Sequence, residues 1–290
     1  MTGTLYIVPT PIGHLDDITL RALRVLQTVS FIAAEDTRHT RKLLTHFEIR
    51  PDHLFSYHEH NTDSAGQRIV AMLRQEQSGA LVTDAGMPGI SDPGHGIIRT
   101  LIEQGLPFVV LPGPSAFVMA LVASGLSTTH FSFFGFLPRD KKHRRAHLET
   151  LRERPETLLF YEAPHRLQAM LADVHAIFGD DRELVVAREL TKLHESWYRG
   201  PLSEWATLLA PADVRGEMVV LLEGARESHV ELGAERRATV IDEADLVARV
   251  TRMMQEGVDK KEAMRLVAKA SGVTKRDVYQ ALVHARESDG

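Results

Sequence analysis

The sequence predicts an α/β protein with three parts: a parallel-sheet domain over residues 1–125, a second and smaller α/β domain over 126–228, and a helical, helix-turn-helix-like domain over 240–290. Three observations carry this reading. Strand-length apolar runs alternate with helix-length amphipathic segments, Gly/Pro-rich loops follow the runs, and the periodicity turns purely helical beyond a charged linker at 229–239.

The first domain opens with "TLYIV" (4–8), a helix around 16–27 and "SFIAA" (30–34), followed by "ALVTD" (80–84) and "FVVLP" (108–112). That order predicts βα units on a parallel sheet, whose ligands sit beyond the carboxyl ends of the strands. Three loops fall there: "PTPIG", "AGMPGISDPG" and "PGPSA". In the second of these Asp92 is expected to cap a helix beginning at Pro93, with Gly105 and Pro107 closing it. Beyond a bend at "GFLP" (135–138), the second set comprises "TLLFYEAP", a helix over 165–178, "ELVVARELT", a segment through "ESWYRG", and "GEMVVLLEG". Its sheet can be mixed in direction. In the tail, Leu246, Val247, Val250, Met253 and Met254 recur at helical spacing, as do Val278, Ala281, Leu282 and Ala285.

Composition excludes several classes of function. The 290 residues hold no cysteine, which rules out disulfides, thiolate metal sites and thiol nucleophiles and suits a cytoplasmic protein. No apolar run approaches the roughly 20 residues of a membrane span. A net charge of −5 argues against a uniformly basic nucleic-acid binder, so any basic surface must be local. The glycine-rich loops lack both G-x-x-x-x-G-K-[ST] and G-x-G-x-x-G, and their prolines remove amide donors that a polyphosphate would need. A plain strand-to-helix turn explains any one of them. Together they suit a ligand that asks for carbonyl acceptors, flat apolar walls and one or two amides, and S-adenosylmethionine is such a ligand.

The set "LYIVPTPIGHLDDITLRAL", "AAEDTR", "YHEHN", "DAGMPGISDPG", "PGPSA", "SGL", "FFGFLPR", "FYEAPHRL" and "ARELTKLHE" closely resembles the bacterial small-subunit ribosomal RNA methyltransferase I family, over residues 3–224. The resemblance implies the tetrapyrrole methylase fold, with two α/β domains, an S-adenosylmethionine cleft between them, and usually a homodimer. It implies methylation of the ribose 2'-hydroxyl of a cytidine, at RNA position 1402 in the decoding region of 16S rRNA within the small ribosomal subunit. It places the cofactor on Asp84, Gly86, Met87 and Ile90, on Ser115 and Ala116, on Phe160 and Tyr161, and on Leu190 and Gly216. His14 stands where the family usually carries asparagine, and Met87 where a small polar residue is common.

Methyl transfer needs the hydroxyl aligned and its proton removed. Three mixed-charge clusters follow strands: Glu35, Asp36 and Arg38; Tyr161, Glu162, His165 and Arg166; and Arg188, Glu189, Lys192, His194 and Glu195. Lys192 is the first choice as proton acceptor, provided that desolvation lowers its pKa, with Glu195 or Asp36 orienting it. Arg38 and Arg166 would hold phosphate. The histidines of "YHEHN" lack zinc-like spacing, and His143 and His147, though at helical i, i+4 spacing, lack the glutamate of H-E-x-x-H, so no metal is implied. Arg139, Lys141, Lys142, Arg144 and Arg145 concentrate positive charge at the domain junction and suit RNA phosphates. The tail adds Lys260, Lys261, Arg265, Lys269, Lys275 and Arg276, with Thr274 as a candidate cap after a turn at Ser271 and Gly272. It suits RNA contact, packing or dimerisation. Two rival readings stand beside rRNA methylation: a small-molecule, tetrapyrrole-type methyltransferase, and a non-catalytic RNA-binding ribosome-assembly factor.

Overall fold

A computed structural model of the chain describes residues 2–208, 216–225, 243–255, 259–271, 278–282 and 284. The first sheet is built from β1 (Leu5–Ile7), β2 (Phe31–Ala34), β3 (His53–Ser56), β4 (Gly79–Val82) and β5 (Phe108–Val110). All neighbours are parallel, in the order β3-β2-β4-β1-β5. Its helices are α1 (Leu20–Thr28), α2 (Thr37–His46), α3 (Thr62–Arg74), α4 (His95–Glu103) and α5 (Ala116–Ser124). The three predicted loops leave β1, β4 and β5, which are adjacent, so all three lie at one carboxyl edge.

Strand β3 is one of the elements that the sequence reading missed. "HLFS" is short, partly exposed and at the sheet edge, so it lacks the continuous apolar run of a buried parallel strand. The start of α4 also differs from expectation. Its N-cap is Gly94 at φ 151°, with no side-chain cap bond, which frees Asp92 from capping. Glycine suits that left-handed backbone.

The second sheet has the order β6-β7-β10-β8-β9, from β6 (Phe131–Phe136), β7 (Thr157–Glu162), β8 (Glu183–Arg188), β9 (Ser196–Pro201) and β10 (Met218–Leu222). Only β6 and β7 run parallel, and the other pairs are antiparallel. The expected bend at 135–138 is in part the end of β6, where the register shifts between Phe133 and Phe136.

One face of this sheet packs on α6 (Lys141–Leu151) and α7 (Pro164–Phe178), through Leu148, Met170 and Val174 against Phe160, Val186 and Val220. The other face carries Leu159, Val185, Ala187 and Val219, and α5 of the first domain covers it with Ala120 and Leu121. Both sheets therefore belong to one unit, Met1–Ala225, and α5 is shared between them.

The described tail residues form a unit of their own. In it α8 (Glu243–Gln255) and α9 (Lys260–Ser271) bury Leu246, Val250, Met264 and Val267, together with Val278 and Ala281. Met254, expected in the stripe, is 43% exposed. Lys275, Arg276, Thr274, Gly272 and Ala285 lie outside the residues whose structure or side chains are described. Among the described residues no helix is long and apolar enough to cross a membrane.

Two of the basic residues assigned to RNA serve the fold instead. Arg144 is 5% exposed and gives Nε and Nη2 to Asp173 Oδ2 at 2.9 and 2.7 Å. The position follows from helix periodicity, since α6 turns Arg144 inward with Leu148 and Leu151. Arg166 reaches the carbonyl of Leu137 at 2.7 Å, and its Nε lies 3.1 Å from Glu162 Oε1 without the N–H aimed at that oxygen. Arg139, Lys141 and Lys142 remain exposed, and Arg145 is partly exposed while reaching Asp173 Oδ1 at 3.3 Å.

Arg144→Ala should destabilise the Met1–Ala225 unit by about 3–5 kcal/mol, because Asp173 then stays buried with only the weaker Arg145 interaction. Urea unfolding checks this, and a loss below about 1 kcal/mol would place Asp173 in contact with water.

Candidate active site

The loop after β1 is pinned to the loop after β4 by a two-way backbone pair, Thr10 N–H to Gly86 O and Gly86 N–H to Thr10 O, both 3.0 Å. Thr10 Oγ1 also donates to the Thr83 carbonyl at 3.0 Å. This junction opens onto a cavity of ≈540 Å³ whose floor is first-domain loop and whose roof is the second sheet. Asp84, Gly86, Met87 and Ile90, then Ser115 and Ala116, line it from one side; Tyr161, Leu190 and Gly216 line it from the other.

Phe160 does not line it. Side chains alternate along β7, so Tyr161 faces the cavity while Phe160, 1% exposed, stacks on Phe134 in the core behind. Residues carried over as adjacent pairs cannot share one face of a strand. Phe136, at the end of β6, supplies the second aromatic wall.

The polar groups of the cavity are mostly acidic. Glu35, Asp84, Asp92, Glu162 and Glu217 all line it. Burial, and then the neighbouring Glu35, Asp84 and Glu217 carboxylates, push Asp92 up to about 7. Burial likewise raises Glu35, against the amide of Asp84 that donates to its Oε2 at 3.3 Å, and raises Glu162. Glu162 Oε2 is buried without a hydrogen-bond partner among the described residues. Tyr161, pushed up to about 12 chiefly by burial, stays a neutral phenol. Apolar and aromatic walls with converging carboxylates make a site for a flat ligand that carries positive charge.

Lys192 sits beside this cavity, in a second one. Its Nζ donates to Glu189 Oε1 at 3.0 Å and to Glu217 Oε2 at 3.1 Å. Desolvation lowers its pKa, but these two carboxylates outweigh it and the net shift is upward. The expected lowered pKa is therefore corrected: Lys192 is a held ammonium and has no lone pair with which to accept a proton.

Neither expected orienting group touches its side chain. Glu195 accepts from the Thr191 amide at 2.7 Å and from Trp197 Nε1 at 2.8 Å. Asp36 caps α2 and forks onto Arg38, Nε at 3.1 Å and Nη2 at 2.6 Å, which holds its carboxyl far below the usual range. Arg38 keeps 84% of its side chain exposed.

The segment that carries Lys192 is strained. Glu189 and Thr191 adopt φ 53° and 62°, uncommon for residues with side chains. Its geometry is over-determined from both sides. Glu189 Oε1 accepts the Glu217 amide at 2.9 Å, and Thr191 Oγ1 accepts the His14 amide at 3.0 Å. Gly216, at φ 79°, must lack a Cβ, which would collide with the Glu189 carboxylate. His14 accepts the Asp16 amide at Nδ1, 3.3 Å away. Glu217, like Phe136, lines the cavity but is missing from the sequence reading, because a lone carboxylate ahead of an apolar strand belongs to no motif.

Asp92 gives a testable consequence. Its native pKa of about 7 exceeds the unperturbed 3.8, so the folded state binds the extra proton between those values and stability falls as pH rises through that window. Asp92→Asn should remove this fall and raise stability above pH 7 by about 1–2 kcal/mol, after discounting for partial solvent screening. Thermal unfolding from pH 4 to pH 8 measures it, and an unchanged pH slope would show that Asp92 is well hydrated.

Comparison with known proteins fits this geometry. Residues 4–206 match the Tetrapyrrole (Corrin/Porphyrin) Methylases. The chain is 45% identical to a ribosomal RNA small subunit methyltransferase I of Halalkalibacterium halodurans, covering 96% of this chain and 93% of that protein. It is 43% identical to one of Bacillus subtilis, covering 96% and 94%. Among solved structures it resembles a cobalt precorrin-4 methyltransferase at TM-score 0.59 and 16% identity, over 76% of this chain and 94% of that one. It also resembles a uroporphyrin-III C-methyltransferase from Thermus thermophilus complexed with S-adenyl homocysteine, at TM-score 0.54 and 20% identity, over 76% and 97%. Those two likenesses concern the fold, and the close relatives are alike along nearly their whole length. The chain therefore belongs to the ribosomal RNA small subunit methyltransferase I family, within the tetrapyrrole methylases.

Proposed function

We propose that this chain transfers the methyl group of S-adenosylmethionine to the ribose 2'-hydroxyl of a cytidine in the decoding region of 16S rRNA, acting on the small ribosomal subunit as a homodimer. The observation that carries the reading is the acidic, aromatic-walled cavity at the carboxyl edge of the first sheet, in a chain of this family. Asp84, Glu35, Asp92 and Glu217 suit a cationic ligand, Tyr161 and Phe136 a flat one. Bound there, S-adenosylmethionine supplies an electrophilic methyl group on a positively charged sulfur.

The chain's own residues align the hydroxyl and take its proton. Lys192 commits two of its three N–H donors to Glu189 and Glu217, which leaves one for the hydroxyl oxygen. Glu217 borders both cavities and keeps 76% of its side chain exposed, and its carboxylate accepts the proton. Arg38, Arg139, Lys141, Lys142 and Arg145 remain for phosphate. Val118, Met119 and Val122 of α5, exposed on the side away from the second sheet, support an apolar contact between two copies. Sedimentation at micromolar concentration tests that dimer.

Mass mapping of ribose methylation in 16S rRNA, before and after the purified chain acts on subunits from a strain lacking it, tests the reading. A methyl group on a base, or none, would sink it.

Glu217→Gln should cut single-turnover methylation by about 10²–10⁴-fold while leaving S-adenosylhomocysteine affinity within a few-fold. Lys192→Ala should lower the same rate, and a drop below about tenfold in both variants would move the proton acceptor to Asp84.

The tail can be tested separately, since the Met1–Ala225 unit holds both sheets and the cavity. A chain ending at Gly233 should bind cofactor normally. If Lys260, Lys261, Lys275 and Arg276 meet rRNA phosphates, the log-log salt slope for subunit binding should become shallower by about 0.7–0.9 for each phosphate that is no longer neutralised. An unchanged slope with loss of the dimer would assign the tail to assembly.

A further inference from the structure

A second cavity, of ≈450 Å³, adjoins the first and has no part in the cofactor assignment. It lies between α2 and the turn at Leu15–Asp17, and the two cavities share Ile12, Asp84, Ala85 and Glu217. The volume is within the range of about 300–1,000 Å³ common to small-molecule sites. Its walls are divided by chemistry. Pro11, Ile12, Leu15 and Leu43 form an apolar slot, and Lys42 and His39 stand on the α2 side, both exposed to solvent. Beside the wall shared with the first cavity, Lys192 Nζ meets Glu217.

An apolar slot, an exposed edge with Lys42 and His39, and an ammonium-carboxylate pair match the base, phosphate and ribose of one nucleotide. Among the described residues the shared wall is the only stretch bordering both cavities, so a hydroxyl can face a methyl group only there. A base held between Leu15 and Leu43 has a side chain on each face and cannot also keep its stacking neighbours. Sequence-specific RNA recognition characteristically takes unstacked, splayed-out nucleotides.

We propose that this second cavity receives the target nucleotide extruded from its stack, with the base between Leu15 and Leu43, the phosphate at Lys42 and His39, and the ribose hydroxyl at Lys192 and Glu217. The proposal rests on the methyltransferase reading above and specifies how that substrate is held.

Two measurements test it. Small subunits reconstituted with 16S rRNA that carries a single 5-iodocytidine at the methylated position are bound to the chain with S-adenosylhomocysteine and irradiated. Cross-linked peptides should come from residues 10–15 or 39–43. In parallel, Leu15→Trp should fill the slot at a site 36% exposed, where the fold tolerates the larger ring. It should lower kcat/KM for subunits by at least about tenfold and leave S-adenosylhomocysteine affinity within about twofold. Cross-links confined to other segments, or an unchanged kcat/KM in a folded Leu15→Trp chain, would overturn the proposal while subunits are still methylated. Failure of the unsubstituted chain to methylate subunits at all would instead overturn the functional reading, and this proposal with it.

Discussion

The packing of α5 against the second sheet is the contact on which the site depends. Residues 116–124, "AFVMALVAS", are nearly all apolar, and such a helix belongs in an interior. Ala120 and Leu121 meet Leu159, Val185 and Val219, so one hydrophobic cluster draws residues from both domains. The loop that leads into α5 carries Ser115, and the strands it covers carry Tyr161 and lead to Leu190. Fixing the helix therefore fixes the distance between the two walls of the cavity.

Electrostatics then differentiates the two cavities that this frame creates. The first buries carboxylates side by side, and burial, then the neighbouring charges, raise Glu35 and above all Asp92. The second has a lysine whose charge is held by two carboxylates, Glu189 and Glu217. Left-handed residues at 189 and 191 keep it there, and Gly216 makes room for Glu189. Strain of this kind persists only where neighbours over-determine it, and here Thr191 and Glu217 are tied to elements on either side.

Much of this was legible in the sequence because strong local signals wrote it. Central strands such as "ALV" and "MVVLL" are buried on both faces and read as continuous apolar runs, and the Gly/Pro loops mark the edge where they end. The edge strand at 53–56 and the strand at 131–136 were not legible: one is half exposed, and the other contains Gly135 and ends in a register shift. The site residues divided along the same line. The loop positions do line the cavity. Phe160 failed through the alternation of a strand, and Arg144 and Arg166 failed because charge in a sequence does not reveal which side of a helix is buried. The pKa of Lys192 was misjudged because its partner Glu217 is distant in sequence and joins it only through the antiparallel pairing of β10 with β8.

The ring of carboxylates in the first cavity bears on how a catalytic cycle ends. Methyl donation turns a positively charged sulfonium into a neutral thioether, while the shape of the molecule hardly changes. Apolar walls such as Tyr161 and Phe136 hold both forms alike, so only charge can tell them apart. On the proposed assignment, a cavity lined by Glu35, Asp84, Asp92 and Glu217 loses its coulombic hold at the moment of transfer, and the spent ligand leaves a site that prefers its fresh counterpart. Asp92 shares in that hold, and the preference weakens as acidification neutralises its carboxylate.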